Sequence, residues 1–331
     1  MKVSELKEFG LIDLLAKMVG TPTDNRLLLG IGDDSAAWYN DASAQLATVD
    51  TFIQDVHFSL DTTSHHELGW KALATNLSDI AAMGGIPKYM LVSLALPGHT
   101  EVEMVTALYG GMIELAKEFE VIIVGGDTSS APLVVITITV LGSTGGHGEC
   151  ILTRSGAQTG DKVAVTGCLG AAAAGLEVVT KQLPLAYDVI YFLKQAFLHP
   201  FPRIAEGQLL VEQGVKTAID ISDGLVSDLT HICQASQVSA RIEIDRLPIP
   251  SEVKTNFGIM SFEMALSGGE DLELLFTASA EVIAKVRAIA RCPVTVIGEI
   301  VTDKVGEVVL IDSAGNPCNL GKGGWEHFAS K

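Results

Sequence analysis

Short runs of aliphatic and β-branched residues alternate along this chain with longer stretches whose apolar positions recur every three or four residues. The short runs predict strands and the long stretches predict helices. In the first half, strands are expected at residues 27–31, 45–49, 89–95, 121–124 and 133–141. Helices are expected near 65–83 and 102–119; the second aligns Val105, Leu108, Met112, Leu115 and Phe119 on one face. In the second half, DKVAVTG reads as a strand closing in a tight turn, and a helix begins near 169–171 in the run that includes GAAAAGLEVV. EGQLLVEQG is a further helix, and DISDGLVSDLTHICQAS is a strand end, a turn and a helix. A strand at 240–244, a helix at 281–290 and a strand at 294–297 complete the pattern. The alternation predicts a mixed α/β protein. The Gly-rich polar stretch GSTGGHGE is the candidate boundary, giving domains 1–145 and 146–331.

Length and composition narrow this picture. A chain of 331 residues has room for two cores, and 48% apolar with 19% charged residues excludes a disordered chain. The net charge of −18 repels nucleic acid and anionic lipid, because binding a phosphate backbone needs clustered Lys and Arg. The five cysteines are widely spaced without a CxxC pair, so reduced, mostly buried thiols are expected. The first residues form an amphipathic helix pattern that contains acids, unlike a signal peptide, and the apolar run 133–142 is too short to span a membrane. A cytoplasmic enzyme with no membrane or nucleic-acid partner is the expectation.

The candidate chemistry lies in aspartates that stand mostly where a predicted strand gives way to a loop or helix. They are Asp33 and Asp34 in GIGDDS, Asp50 in TVDT, Asp79 in NLSDIAAM, Asp127 in GGDTS, and Asp220 and Asp223 in DISDGL. Carboxylates gathered in one site repel each other and call for protons or cations. Oxygen donors without His or Cys beside them select Mg²⁺, which fills its remaining positions with water and substrate phosphates. Each motif has a plainer reading as well. GDD and GGD are common turns, Ser78–Asp79 could cap a following helix, and Ser222 or Asp223 could cap the helix after DISDGL. SGGEDLEL holds Glu270, Asp271 and Glu273 as a further acid cluster on flexible backbone. Arg154 in ILTRSGA is placed to meet a phosphate, and Arg203 in HPFPR is a second candidate or a surface residue. GIGDDS is no dinucleotide fingerprint, since Ser35 stands at its third glycine position, and no GxxxxGK[ST] loop occurs.

GIGDDSA, TVDTFIQDVHF, KALATNLSDIAAMGGIP, GGDTSSAPL, LTRSGAQTGD, AIDISDGLVSDLTHI, SGGEDLEL and GGWEHF follow one another across nearly the whole chain. In that order they resemble the thiamine-monophosphate kinase family, within the aminoimidazole ribonucleotide synthetase superfamily. The resemblance implies a two-domain synthetase-like fold, with an N-terminal mixed-sheet domain that pairs strands across a homodimer and a C-terminal α/β domain completing an active-site cleft. It implies ATP- and Mg²⁺-dependent phosphorylation of thiamine monophosphate to thiamine diphosphate by direct in-line transfer. It further implies Asp34, Asp50, Asp79, Asp127, Asp220 and Asp223 as metal ligands, with Thr48 assisting. Asp50, Asp127 and Asp220 would be central to the transfer. Tyr109, Gly126, Asp127, Arg154 and Ser222 would meet the nucleotide, and His57, Glu270 and Trp325 would line the thiamine monophosphate pocket.

Three positions depart from the family pattern. Val49 replaces a hydroxyl residue before Asp50, which removes one metal or water contact. Leu272 replaces a Tyr beside Glu270 and alters packing. Gln54–Asp55 stands where Glu-Gly is usual, so the loop carrying His57 is expected to sit differently. Selenophosphate synthetases, hydrogenase-maturation proteins and the purine enzyme itself are the near alternatives. Cys150 as the first cysteine, and an ending of GGWEHFASK, do not match the reactive cysteines of the first two. A non-catalytic nucleotide-binding regulator is the alternative of another class.

Overall fold

The computed structural model describes residues 2, 11, 14–20, 26–29, 37–38, 43–145 and 150–318. Asp33, Asp34 and Trp325, and the second half of the glycine-rich boundary stretch, lie outside the described residues. The chain divides into two compact units, Met1–Ile80 with Ile86–Glu149, and Ala81–Gly85 with Cys150–Lys331.

In the first unit a small antiparallel pair, β1 (Leu27–Leu29) and β2 (Ala37–Trp38), precedes the main sheet. That sheet has the order β3 (Gln45–Ile53), β6 (Val135–Ser143), β4 (Ile86–Leu96), β5 (Ile122–Ser130). The β3–β6 and β6–β4 pairings are antiparallel and β4–β5 is parallel, so the sheet is mixed. Burial alternates residue by residue along β6, the mark of a sheet with one face packed and one left open. The unit also contains two long helices, α1 (His65–Ala82) and α2 (Val102–Glu118), and residues 14–19 are helical as well. A reciprocal cap starts α1: Ser64 N–H donates to Glu67 Oε2 (2.8 Å), and Glu67 N–H donates to Ser64 Oγ (3.3 Å). The apolar stripe of α2 is buried as its spacing predicts, including Val105, Leu108, Met112 and Leu115.

The second unit is built on a six-stranded sheet. Its members are β7 (Lys162–Thr166), β8 (Thr217–Asp220), β9 (Ser239–Glu243), β10 (Leu274–Ala278), β11 (Val294–Val301) and β12 (Val308–Ile311). Their order is β12-β9-β11-β7-β10-β8, antiparallel except for the β12–β9 pair. Helices α3 (Ala171–Lys181), α4 (Tyr187–Leu198), α5 (Ile204–Glu212), α6 (Leu225–Ser236), α7 (Ser251–Phe257), α8 (Met260–Ser267) and α9 (Ala280–Ile289) surround it. Strands β7, β8 and β10 are buried along nearly all their length and join Leu169, Leu193, Leu225, Leu229 and Ile232 in one core.

Two expectations shift. The GGDTS motif is not a loop after a strand: Gly125, Gly126 and Asp127 lie inside β5, which pairs with β4 through Ser130. A register shift between Met90 and Leu91 passes over Val124 and pairs Gly125 with Leu91 and Gly126 with Val92, leaving Asp127 opposite Ser93. The cysteines are not mostly buried either. Only Cys233 is fully buried and Cys150 is exposed, while Cys168, Cys292 and Cys318 are intermediate.

Candidate active site

The first unit holds its candidate residues on both edges of the four-stranded sheet. Thr48 and Asp50 share one face of β3 by the two-residue repeat of a strand, and Phe52 follows them into the buried layer. Val49 alternates to the other face and is 58% exposed. The side chain that differs from the family pattern therefore points away from the face of Asp50. Asp79 lies in the body of α1, not before a helix, so the capping reading is overturned. Its Oδ2 accepts the Thr48 hydroxyl at 2.5 Å, a charge-assisted bond that ties β3 to α1.

Asp127 sits on the opposite edge strand, exposed. Three strand spacings separate β3 from β5, roughly 14 Å along a flat sheet. Within this unit the fold joins Thr48 and Asp79 directly, with Asp50 beside Thr48 on the same strand face, and sets Asp127 apart from them. Gly126 next to Asp127 is needed for close approach, because a Cβ there would stand 1.9 Å from the Val92 carbonyl oxygen. Tyr109 is buried at 6% exposure within α2, where desolvation raises its pKa. The phenol belongs to the core.

His57 is fixed by its own turn. Its backbone N–H donates to the Ile53 carbonyl (2.9 Å), and Ile53 N–H donates to its Nδ1 (3.0 Å). With Nδ1 accepting, the neutral ring carries its proton on Nε2. Asp55 adopts φ +63°, the left-handed conformation that Asp tolerates better than most residues. The Gln54–Asp55 departure is thus accommodated at a position that glycine would also fill.

In the second unit Asp220 ends β8 at 4% exposure, opposite Leu274 of β10. Ser222 and Asp223 follow in a half-buried turn. Neither caps α6; the residue at the cap is Gly224, without a side-chain bond. Asp228, one turn into α6, reaches back instead, and its Oδ2 accepts the N–H groups of Asp223 (3.2 Å) and Gly224 (3.1 Å). Sequence reasoning missed Asp228. Its signal was an acid four residues after the glycine at a helix start. Asp228 is 1% exposed, and its carboxyl is pushed up to about 8. Burial contributes most, then the charges of Asp220 and Asp223, against the two backbone donors. The turn is a concentrated negative field.

The GGEDLE segment closes on that turn. Glu270 N–H donates to Ser222 O (2.9 Å), Leu272 N–H to Ile221 O (3.0 Å), and Ile221 N–H to Glu273 O (2.8 Å). Glu270 and Leu272 both take positive φ, +69° and +51°. The three acids of the expected cluster have separate hydrogen-bond partners. Asp271 accepts from Gly170 N–H (2.7 Å) and Ala172 N–H (3.0 Å) at the start of α3. Glu273 meets Arg203 through two bonds, Nε–Oε2 at 2.7 Å and Nη2–Oε1 at 2.6 Å, and accepts the Thr166 hydroxyl at 2.7 Å. Burial opposes the Arg203 charge, but the bonds to Glu273 outweigh it and raise the guanidinium pKa. Arg203 is therefore a structural cation and not a surface residue or a phosphate reader. Arg154 is exposed beside β8, its segment bridged to the strand at Thr153–Thr217, and it makes no ion pair among the described residues.

Among the described residues no three His, Cys, Asp or Glu side chains gather into a metal-holding group. No helix among them is long and apolar enough to cross a membrane.

Two family models match this architecture, the AIR synthase related N-terminal domain over residues 32–144 and the corresponding C-terminal domain over 158–311. The chain belongs to the AIR synthase related family. Relatives that it matches over most of their length include thiamine-monophosphate kinases. That of Bacillus subtilis is 40% identical over 308 residues, 91% of this chain and 93% of the relative. The crystal structure of thiamine-monophosphate kinase from Stenotrophomonas maltophilia K279a matches with a TM-score of 0.82 at 33% identity, covering 94% of this chain and 98% of that one. The solved structure of AaThiL complexed with AMPPCP and TMP matches at 0.77 and 34%, covering 99% of each chain.

Proposed function

We propose that this protein transfers the terminal phosphoryl group of ATP to thiamine monophosphate, producing thiamine diphosphate and ADP. The observation that carries this reading is the end-to-end likeness to AaThiL, a relative solved with an ATP analogue and TMP. The chemistry of the side chains is compatible with it. Phosphoryl transfer requires positioning and charge neutralisation more than covalent chemistry. The acceptor is a phosphate monoester that is already ionised near neutral pH, so no strong general base is needed.

Mg²⁺ fits the donors in place. Thr48 Oγ1 and Asp79 Oδ2 stand at hydrogen-bond distance, and the charges of Asp220 and Asp223 add to the burial that raises the pKa of the neighbouring Asp228. All are hard oxygens. Asp50, Asp79, Asp127, Asp220 and Asp223, with Thr48 and the undescribed Asp34, are the residues we assign to hold several Mg²⁺ ions, since Asp127 stands apart from Thr48 and Asp79. Bound there, the ions would screen the charge of the meeting phosphates. Asp50, Asp127 and Asp220 carry most of that duty, and Arg154 supplies a protein cation for the nucleotide phosphates. Ser222 and Gly126 offer a hydroxyl and an uncovered backbone to the nucleotide. His57, through Nε2–H, and Glu270, with the undescribed Trp325, recognise thiamine monophosphate.

A homodimer is part of the reading. Neither β3 nor β5 has an outer strand among the described residues, and the open sheet face presents Val49. Unpaired edges of this length call for a partner. A cytoplasmic location agrees with free cysteines, three of which have thiols pushed up, chiefly by burial, to about 11 or 12.

The test is a ³¹P NMR assay with Mg-ATP and thiamine monophosphate, with and without EDTA. Metal-dependent diphosphate resonances alongside ADP are expected. Thiamine monophosphate left unchanged in the presence of metal refutes the assignment.

A further inference from the structure

The geometry points to Asp271 as a positioning residue of the transfer site, anchoring the left-handed Glu270–Leu272 turn to the first turn of α3. The inference rests on the proposed place of Glu270 in the thiamine monophosphate pocket, and it adds a residue that touches no substrate.

Three observations meet at this side chain. Glu270 and Leu272 both occupy left-handed backbone, φ +69° and +51°, a conformation that costs a non-glycine residue free energy and persists only where its surroundings impose it. The residue between them provides one such constraint. Asp271 Oδ2 and Oδ1 accept from Gly170 N–H at 2.7 Å and Ala172 N–H at 3.0 Å, two of the donors that a helix start leaves without intrahelical partners. The opposite side of the turn is held by the metal-binding segment, through Glu270 N–H to Ser222 O and Leu272 N–H to Ile221 O. Gly269 lies so close to that segment that a Cβ would stand 2.2 Å from Ser222 O. The turn is therefore clamped between α3 and the DISDG segment, and the orientation of Glu270 follows from both clamps.

The same contact takes up two of the donors that an external anion would need at the glycine-rich start of α3. A strand, a TGCLG turn and a helix form the kind of N-terminus that takes phosphate in other proteins. Here an internal carboxylate already occupies its donors. The helix start serves as an anchor for a distant loop.

The test is steady-state kinetics of the full chain with Asp271→Asn, Asp271→Ala and Glu270→Gln, varying thiamine monophosphate and Mg-ATP separately. Asn keeps one acceptor and the shape of the side chain, whereas Ala keeps neither. The expected result is a KM for thiamine monophosphate raised roughly tenfold in Asp271→Asn and further in Asp271→Ala, with the KM for ATP unchanged, the range typical of outer-shell positioning groups. Loss of folded protein alone would lower kcat per mole and leave both KM values in place. Thermal unfolding and calorimetric titration of thiamine monophosphate into the folded Asn variant separate the two causes. If Glu270→Gln raises that KM while the Asp271 variants change only kcat or melting temperature, the positioning role is overturned and the proposed function stands. If Glu270→Gln also has no effect, Glu270 leaves the pocket and the inference falls with it. A wild-type protein that phosphorylates no thiamine monophosphate removes the functional reading itself.

Discussion

Replacing Arg203 with Met removes the only cation that contacts a nearly buried carboxylate among the described residues. Glu273 is 6% exposed and Arg203 24%, joined by bonds of 2.6 and 2.7 Å, and the Thr166 hydroxyl is the one other side chain on Glu273. An exposed ion pair would be worth about 0–1 kcal/mol. This pair belongs to the other class, in which taking away one partner strands a charge without solvent and costs about 3–5 kcal/mol. At about 2–4 °C per kcal/mol for a unit of this size, the melting temperature should fall by roughly 6–20 °C. Circular dichroism during thermal unfolding measures it. The double variant Arg203→Met/Glu273→Gln should recover much of the loss, because no buried charge remains, and the non-additivity is the signature of direct coupling. A single variant within about 1 kcal/mol of wild type would show that water reaches Glu273 and that the reasoning is wrong.

Asp50→Asn should abolish turnover with the melting temperature nearly unchanged, since the amide keeps the shape but loses the charge; near-normal activity in the ³¹P assay would remove Asp50 from the metal set. Gly126→Ala places a methyl 1.9 Å from a backbone oxygen that cannot rotate away, so β4 and β5 must separate at a cost of about 1–3 kcal/mol, read from urea unfolding. Asp271 gives a pH signature: burial, with some help from Glu273 and Glu270, lifts its carboxyl from 3.8 to about 7 against the bonds from Gly170 and Ala172. The folded state therefore holds a proton that the unfolded chain has released, and this residue's contribution to stability falls as pH rises from about 4 to about 7. Unfolding of the metal-free protein across that window should show a shallower decline in Asp271→Asn; identical slopes would place the carboxylate in contact with water.

Much of this was legible from one-dimensional patterns. The helix around Val105–Leu115 and the paired turn-and-helix segments show through their spacing, because burial of one face imposes a period on any amphipathic element. Other features were not. GGDTS reads as a turn because glycines are weak strand formers, yet the ladder to β4 holds it extended. Asp79 reads equally as a cap or a buried acid until Thr48, 31 residues away, donates its hydroxyl. Helices α4, α7 and α8 and strands β2, β10 and β12 were not read from the pattern; α7, α8, β2 and β12 are short and carry too few periods to stand out.

The sequence alone determined that the protein is an acidic, two-unit α/β chain, rich in oxygen donors and lacking the motifs of other nucleotide folds. Those properties are sums and spacings along the chain. The partners of the charged groups were decided by tertiary structure. Glu270, Asp271 and Glu273 fall within a span of four residues, and the fold sets the first against Ser222, the second against α3 and the third against Arg203. Arg203 became structural and Arg154 stayed exposed, although either could have met a phosphate by sequence. The physical reason is that an ion's role depends on which opposite charge and how much solvent lie within a few ångströms, and that neighbourhood is assembled from residues far apart in the chain.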